Sequence, residues 1–153
     1  MDDAEWYASL PSFTASGAAL LTDAAGAVLL VKPWYRDNWG LPGGVAEAGE
    51  SPRQCAEREV AEEIGVVVTA TALLAVQWTP PAGPRRASFA FVFDGGTLAE
   101  PGLVNLQAEE LDDFAFLPLD EATSRMEPSG ALRLTRAWQA RVEGCPAYLE
   151  SFE

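Results

Sequence analysis

The sequence of 153 residues contains no histidine, and this absence excludes a large group of mechanisms. Serine hydrolase triads, cysteine–histidine dyads and zinc sites with histidine ligands all require an imidazole group. Any catalysis therefore has to come from carboxylates, hydroxyls, lysine, arginine or a bound ion.

Basic residues are also scarce, since 10 Lys and Arg stand against 23 Asp and Glu and the formal net charge is −13. Affinity for nucleic acids depends largely on basic side chains that neutralise phosphates. We therefore expect no DNA or RNA polymer as a partner. An acidic chain that binds an anionic ligand needs a cation to meet it, and a divalent metal ion is the obvious candidate.

The chain has little cysteine and no long hydrophobic run. Cys55 and Cys145 do not form a disulfide framework or a metal-binding motif. The longest apolar run, residues 24–31, is far shorter than the roughly 20 residues of a membrane-spanning helix. The first residues are acidic, whereas a signal peptide begins with positive charge. These features predict a cytoplasmic protein with reduced thiols and no membrane partner.

The hydrophobic share of 48 % is enough for one core, and the length is that of a single domain. Apolar and β-prone segments predict strands at residues 13–21, 27–31, 66–69, 72–76, 89–93 and 112–117. Helices are expected at residues 52–64, at 119–126 and from Ser129 onwards. This order predicts an α/β domain in which a mixed sheet packs against helices, in an α/β/α or α+β arrangement.

Three glutamates of the helix predicted at 52–64 lie close together. Glu59, Glu62 and Glu63 occupy positions i, i+3 and i+4, so their side chains project from one face. A solvated acidic face is the ordinary explanation of such a cluster. The alternative is a bound hard cation, because Mg²⁺ and Mn²⁺ prefer carboxylate oxygens and bridge to phosphates.

The surroundings of the cluster favour the cation. Arg58 precedes Glu59 and is spaced to brace Glu62, four residues further along the helix. Glu50 comes just before the helix, and the glycines at 43–44 allow the backbone to approach a ligand closely.

The segment Gly44–Val66 resembles the Nudix box, whose pattern is G-x5-E-x7-R-E-U-x-E-E-x-G-U with U a bulky aliphatic residue. Every fixed position of the pattern is matched here. The resemblance implies the Nudix fold, a mixed β-sheet sandwiched between α-helices, in one domain that spans the chain. It also implies hydrolysis of a nucleoside diphosphate linked to another moiety, and a homodimer is common among members.

The resemblance further implies the roles of individual residues. One or more Mg²⁺ or Mn²⁺ ions would be bound by Glu59, Glu62, Glu63 and the carbonyl group of Gly43. Glu50 and Arg58 would orient the loop and the helix that carry these ligands.

The expected reaction is a metal-assisted attack of water on a phosphorus atom of the diphosphate. A carboxylate has to take the proton, because the chain has no histidine. The family places this base either in the box, here Glu62, or on a later loop, here Glu109 or Glu110. We expect Glu110, since it precedes a predicted strand with Phe114 and Phe116.

Substrate contacts are expected in the aromatic and basic loop after the first two strands. Aromatic rings can stack on a nucleobase, which makes Trp34, Tyr35, Trp39 and Trp78 candidates, although core packing is the ordinary role of such residues. Phosphate contacts are expected among Lys32, Arg36, Arg85 and Arg86, although each could equally be solvated surface. Of these we favour Lys32, Tyr35, Arg36 and Trp39.

The substrate itself is left open between a nucleoside triphosphate and an ADP-ribose-like compound. Pro80 and Pro81 lie where similar ADP-ribose hydrolases carry a proline, but a proline-rich loop would match by chance. A catalytically silent nucleotide sensor is the alternative, and the intact box argues against it. An isoprenoid diphosphate isomerase would need histidines that this chain lacks.

Overall fold

A mixed sheet of seven strands forms the centre of the computed structural model, which describes residues 1–151. The strands are β1 (Thr14–Thr22), β2 (Val28–Pro33), β3 (Gly43–Val45), β4 (Leu73–Thr79), β5 (Ser88–Thr97), β6 (Leu111–Leu117) and β7 (Ala147–Glu150). Their order across the sheet is β6-β2-β1-β5-β4-β7, and β3 pairs with β1. Parallel pairing joins β1 to β5 and β4 to β7, and the other pairs are antiparallel.

Helices α2 (Pro52–Ile64), α3 (Leu119–Ser124) and α4 (Pro128–Glu143) cover the two faces of this sheet. The chain also contains α1 (Asp3–Ser9), whose residues are all exposed, and a 3-10 turn at Pro101–Leu103. Alternate residues of β1 point to opposite faces, so Leu20 packs with α3 and α4 whereas Leu21 packs with α2. The predicted sandwich of a mixed sheet between helices is therefore confirmed.

Local signals at both ends define α2. The Ser51 hydroxyl accepts a hydrogen bond from the Gln54 amide, and the Gln54 side chain accepts one from the Ser51 amide. Pro52 occupies the first turn, where its missing N–H has no cost. Gly65 ends the helix with φ of 69°, a left-handed conformation that favours glycine. The predicted bounds of this helix are confirmed.

A glycine lets α2 lie directly against the sheet. A Cβ on Gly17 of β1 would overlap the carbonyl group of Pro52, which is backbone and cannot move aside. Ala56, Val60 and Ile64, the stripe that the helical period predicts to be apolar, are fully buried under the helix.

The turn signal at residues 23–26 between the first two predicted strands predicts a hairpin, and the structure shows that the following loop opens it. β1 pairs with β2 at Thr22 and Val28, next to the turn. Beyond that point the segment 40–45 lies between the strands, since Gly40 bonds to Val31 and the Ala19 amide donates to the Pro42 carbonyl. This insertion carries the two glycines at 43–44 into the sheet beside α2.

Two predictions about elements were wrong in detail. Residues 66–69 form no strand. At Ala70, which follows them, the backbone carbonyl and amide are bonded to the side chains of Arg53 and Glu57. The helical period predicts an apolar stripe on α4 at Leu132, Leu134, Ala137, Trp138 and Val142. Leu134 and Ala137 are buried and Trp138 packs against the core, whereas Leu132 and Val142 are exposed. The short elements α1, β3 and β7 were not predicted.

Within residues 1–151, every helix is too short or too polar to cross a lipid bilayer.

Candidate active site

The carboxylates of α2 meet the inserted glycine loop at the edge of β1. Glu63 is the most buried of them, with 7 % of its surface exposed, and its carboxylate accepts a hydrogen bond of 3.0 Å from the Gly43 amide. A Cβ on Gly44 would collide with the carboxylate of Glu59, so this glycine leaves space for that group. The loop and the helix thus enclose two of the three predicted glutamates.

Arg58 connects the carboxylates at this edge. Its Nε donates to Glu50 Oε1 at 2.7 Å and its Nη2 to Glu50 Oε2 at 3.0 Å, a two-point contact. Its Nη1 donates to Glu59 at 3.0 Å and to Glu62 at 3.1 Å. The predicted brace between Arg58 and Glu62 is therefore present, and Glu50 shares the same guanidinium group.

These contacts and the burial of the site shift the pKa values of the carboxylates in opposite directions. Hydrogen bonds from the Arg58 side chain and the Glu47 amide lower the pKa of Glu50 to about 2. Burial raises the pKa of Glu63 to about 8 against the opposing Gly43 hydrogen bond, and the charges of Glu59 and Glu110 add to the rise. Burial also raises the pKa of Glu59, more than Arg58 lowers it. A further positive charge beside Glu59 and Glu63 would favour their ionised forms.

The donor set fits a hard divalent cation. Carboxylate and carbonyl oxygens are the ligands that Mg²⁺ and Mn²⁺ prefer, and this cluster supplies them without nitrogen or sulfur. In the described part of the chain, no three acidic or thiol side chains already converge on one point as metal ligands do. Glu59 and Glu62 are instead turned towards Arg58, so the carboxylates would have to reorient to bind an ion.

The loop before β6 brings a fourth glutamate to the cluster. The Gln107 amide donates to the Glu63 carbonyl at 2.9 Å, which fixes this loop to the end of α2. The exposed carboxylate of Glu110 lies close enough that its charge raises the pKa of both Glu59 and Glu63. Of the two glutamates predicted on this loop, Glu110 acts on the buried carboxylates.

A cleft extends from the glycine loop to the start of α4. It has two adjoining compartments of about 270 and 800 Å³. The smaller compartment is lined by the glycines of the loop, Trp39 and the first turn of α4, and the larger one by Thr79, Arg85 and Ser88. Arg36 and Arg133 line both compartments. The cleft is of the size at which proteins bind small molecules.

Only some of the residues predicted to contact the substrate line the cleft. Trp39 and Arg36 line the cleft, and Arg125 stacks on the Trp39 ring at 5.2 Å. Tyr35 and Trp34 are mostly exposed and contact each other edge to face, outside the lining of the cleft. The Lys32 ammonium group pairs with Asp112 at 3.6 Å. Binding of substrate by Tyr35 and Lys32 stays a prediction.

Of the remaining candidates, only Arg85 is among the described residues that line the second compartment, and Arg86 is exposed outside the lining. Trp78 is a half-buried residue of β4 paired with Phe89. Sequence reasoning missed Arg133 and Ser129, which line the cleft from α4. No local pattern distinguishes Arg133 from a solvated helix arginine, because its surroundings are formed by distant strands.

Known proteins resemble this chain in sequence and in fold. The NUDIX domain family matches residues 12–138. A MutT-like protein from Streptomyces ambofaciens is 30 % identical over 129 residues, which are 84 % of this chain and 79 % of the relative. The crystal structure of a MutT protein from Methanosarcina mazei Go1 has a TM-score of 0.73 at 22 % identity and covers 86 % of this chain and 96 % of its own. The structure of an ADP-ribose pyrophosphatase from Streptococcus suis 89-1591 has a TM-score of 0.66 at 20 % identity, over 92 % of this chain and all of its own (100 %). The two structures share the fold, and the family match together with the MutT-like relative shows that the chain belongs to the Nudix family.

Proposed function

We propose that the protein is a metal-dependent pyrophosphohydrolase that cleaves the diphosphate linkage of a nucleoside diphosphate bound to another moiety. The observation that carries this proposal is that Glu59 and Glu63 of α2 meet the glycine loop, which also lines a cleft. Arg58 holds Glu62 beside them. Burial of two of these carboxylates has a cost that a cation would offset. The intact acidic set favours an enzyme over a catalytically silent nucleotide sensor.

The metal ligands we propose are the carboxylates of Glu59, Glu62 and Glu63 and the carbonyl of Gly43. A bound Mg²⁺ or Mn²⁺ ion would neutralise charge on the diphosphate oxygens and lower the pKa of a water molecule. Arg58 holds Glu59 and Glu62 on one side of the helix, and its two-point contact with Glu50 fixes the guanidinium group. Arg58 and Glu50 are therefore positioning residues.

Glu110 is the residue that we propose to take the proton from the attacking water. Its carboxylate is exposed and therefore accessible to solvent, and it acts on the same buried glutamates. Glu62 is the second candidate, but its carboxylate is engaged by Arg58. A base on the loop leaves Glu62 available as a metal ligand.

The cleft is proposed to bind the part of the substrate beyond the diphosphate, with Trp39 and Arg36 in contact with it. ADP-ribose and nucleoside triphosphates are the substrate classes to examine first, because an ADP-ribose pyrophosphatase and MutT proteins are among the similar structures and relatives. In this proposal the diphosphate linkage of either compound lies at the carboxylate cluster and the remainder of the molecule lies in the cleft.

A turnover assay tests the proposed function. The purified protein with Mg²⁺ is incubated with nucleoside triphosphates, ADP-ribose, NADH, dinucleoside polyphosphates and nucleotide sugars, and the products are separated by chromatography. AMP with ribose phosphate identifies ADP-ribose as the substrate, and a monophosphate with pyrophosphate identifies a triphosphate. We expect EDTA to abolish turnover and Mg²⁺ or Mn²⁺ to restore it, whereas activity in EDTA would contradict the proposal.

Two variants separate the metal ligands from the base. In the double variant Glu62→Gln, Glu63→Gln the turnover rate should fall by about three orders of magnitude or more while the protein remains folded. The variant removes two negative charges that would bind the metal ion. Glu110→Gln should lower kcat by about 10² to 10⁴, the usual contribution of a general base. Glu109→Gln is the matched control on the same loop, and an equal loss in both loop variants would contradict the assignment of Glu110.

A further inference from the structure

The cleft has a positive lining in a strongly acidic molecule. Arg36, Arg85 and Arg133 line its two compartments, and Glu127 is the acidic residue there. Three of the chain's 10 basic residues thus lie along one cleft, although the whole molecule carries −13. Guanidinium groups only donate hydrogen bonds, so the lining is suited to a ligand rich in acceptors.

Arg133 is held in place at the junction of the two compartments. Its Nη1 donates to the side-chain oxygen of Gln77, a residue of β4 that is fully buried. The Gln77 side-chain nitrogen in turn donates to the Ser129 carbonyl at 3.3 Å. Both polar ends of Gln77 are therefore engaged, and the guanidinium group is fixed between the sheet and α4.

Arg36 faces the same junction, and its charge acts on Arg133. Loss of solvent lowers the pKa of Arg133 from its usual value, and the charge of Arg36 lowers it further. Among residues 1–151, neither arginine has a carboxylate within 4.0 Å. Two like charges held near each other without an ion pair favour the binding of an anion between them.

The start of α4 adds to this positive potential. Ser129 and Gly130, in the first turn of this 16-residue helix, border the smaller compartment. Glu127 precedes the helix without capping it, and its carboxylate instead accepts a hydrogen bond of 3.2 Å from Asn38 at the exposed rim. The uncapped amides of the first turn and the helix dipole both favour negative charge.

We infer that the junction bracketed by Arg36 and Arg133 binds a further anionic group of the substrate, a phosphate or a carboxylate outside the diphosphate that is cleaved. This inference rests on the proposed function, in which the α2 carboxylates are reserved for the scissile diphosphate. Among the described residues, none of α2 lines the cleft, and the charge of Arg36 also acts on Glu63. The preferred substrates are then diphosphate-linked compounds that carry an extra acidic group. A neutral sugar or an unmodified ribose would leave both guanidinium groups without an ionic partner.

Pairs of compounds that differ in one acidic group test this inference by hydrolysis. NADPH with NADH tests a 2′-phosphate, coenzyme A with dephospho-coenzyme A tests a 3′-phosphate, and UDP-glucuronate with UDP-glucose tests a carboxylate. We expect kcat/KM to favour the more acidic member of at least one pair by about 10-fold to 100-fold, the range of a charge-assisted hydrogen bond. Ratios near one in all three pairs would overturn the inference.

Substitutions of the two arginines test whether they cause the preference for the more acidic compound. Arg133→Gln and Arg36→Gln should each reduce the preference at least about fivefold, since each removes one of the two charges from the junction. Arg136→Gln, an exposed position on the same helix outside the cleft, is the matched control and should keep the preference. Arg36 is exposed, so its variant is expected to fold even if Arg133→Gln does not. A preference that survives Arg36→Gln in a folded protein would contradict the role of the junction.

A binding experiment distinguishes this inference from the proposed function. Calorimetry with Mg²⁺ compares adenosine 2′,5′-bisphosphate, adenosine 3′,5′-bisphosphate and AMP, none of which contains a diphosphate linkage. Tighter binding of a bisphosphate without turnover of any substrate would support the anion site and contradict the hydrolase. Turnover without preference in either experiment would support the hydrolase and contradict the anion site.

Discussion

Arg58 donates to three carboxylates at once, and its geometry determines how each of them behaves. Glu50 receives both the Nε and an Nη donor, so it is held most firmly. Glu59 and Glu62 share the remaining Nη donor and can exchange that contact for another cation. One guanidinium group thus combines a fixed ion pair with two adaptable ones, which suits the proposed cation site.

The fixed pair predicts a specific dependence of stability on pH. The folded-state pKa of Glu50 is about 2, below its ordinary value of 4.5, so the stabilisation is complete above pH 4.5. As the pH falls from 4.5 to 2, the unfolded state takes up the proton first and this stabilisation is lost. Glu50→Gln should therefore lower the free energy of unfolding at pH 7. It should also weaken the fall of that free energy between pH 4.5 and 2 (the acid limb), measured by denaturant unfolding at a series of pH values.

Glu47→Gln is the control for that experiment. Glu47 lies on the same loop, and its backbone amide, rather than its side chain, donates to Glu50 at 2.9 Å. The variant should therefore keep the steep acid limb of the wild-type protein. Identical acid limbs in Glu50→Gln and wild type would mean that the ion pair does not stabilise the fold.

At the scale of elements, α2 carries the site and depends on its caps. The reciprocal hydrogen bonds between Ser51 and Gln54 satisfy amides that the helix leaves free at its start. Ser51→Ala should cost about 1 kcal/mol of the free energy of unfolding, the usual effect of losing an N-cap hydroxyl. Ser51→Thr keeps a capping hydroxyl and should lose less. Equal losses in the two variants, measured by urea unfolding, would contradict this role of the hydroxyl.

The sequence predicts elements whose signals are local and misses those that depend on distant partners. The bounds of α2 follow from Ser51, Pro52 and Gly65, all within or next to the helix. By contrast, β7 exists because it pairs in parallel with β4, far away along the chain. The opening of the first hairpin likewise depends on a loop that inserts between its strands.

The same distinction applies to the candidate site. The spacing of Glu59, Glu62 and Glu63 predicts their shared helix face, because i, i+3 and i+4 are neighbours on any α-helix. The burial of Glu63 depends on the glycine loop and could not be read from that spacing. Arg133 acquires its fixed position from Gln77 on another element, and a single sequence contains no signal for that contact.

At the scale of the whole molecule, the distribution of charge matters more than its total. A net charge of −13 repels anionic ligands over about 8 Å at physiological salt. The arginines of the cleft and a cation at the α2 carboxylates oppose this repulsion where a substrate would bind. The acidic surface therefore disfavours polyanions such as nucleic acids without closing the cleft to a small anionic ligand.

This distribution predicts that Mg²⁺ and Na⁺ stabilise the protein to different extents. Both salts screen the general repulsion among carboxylates, but a specific site gains additional free energy from the ion that it binds. At equal ionic strength, MgCl₂ should raise the melting temperature by about 2–4 °C more than NaCl, the shift expected from about 1 kcal/mol in a domain of this size. The difference should disappear in Glu59→Gln, Glu62→Gln, which removes two of the proposed ligands.

The control for the last experiment removes the same charge from elsewhere. Glu100 and Glu143 are exposed and form no ion pair in the described part of the chain. Glu100→Gln, Glu143→Gln should therefore reduce the general repulsion and keep the difference between the two salts. A wild-type protein that responds equally to MgCl₂ and NaCl would contradict a specific cation site on α2, whatever its response to ionic strength.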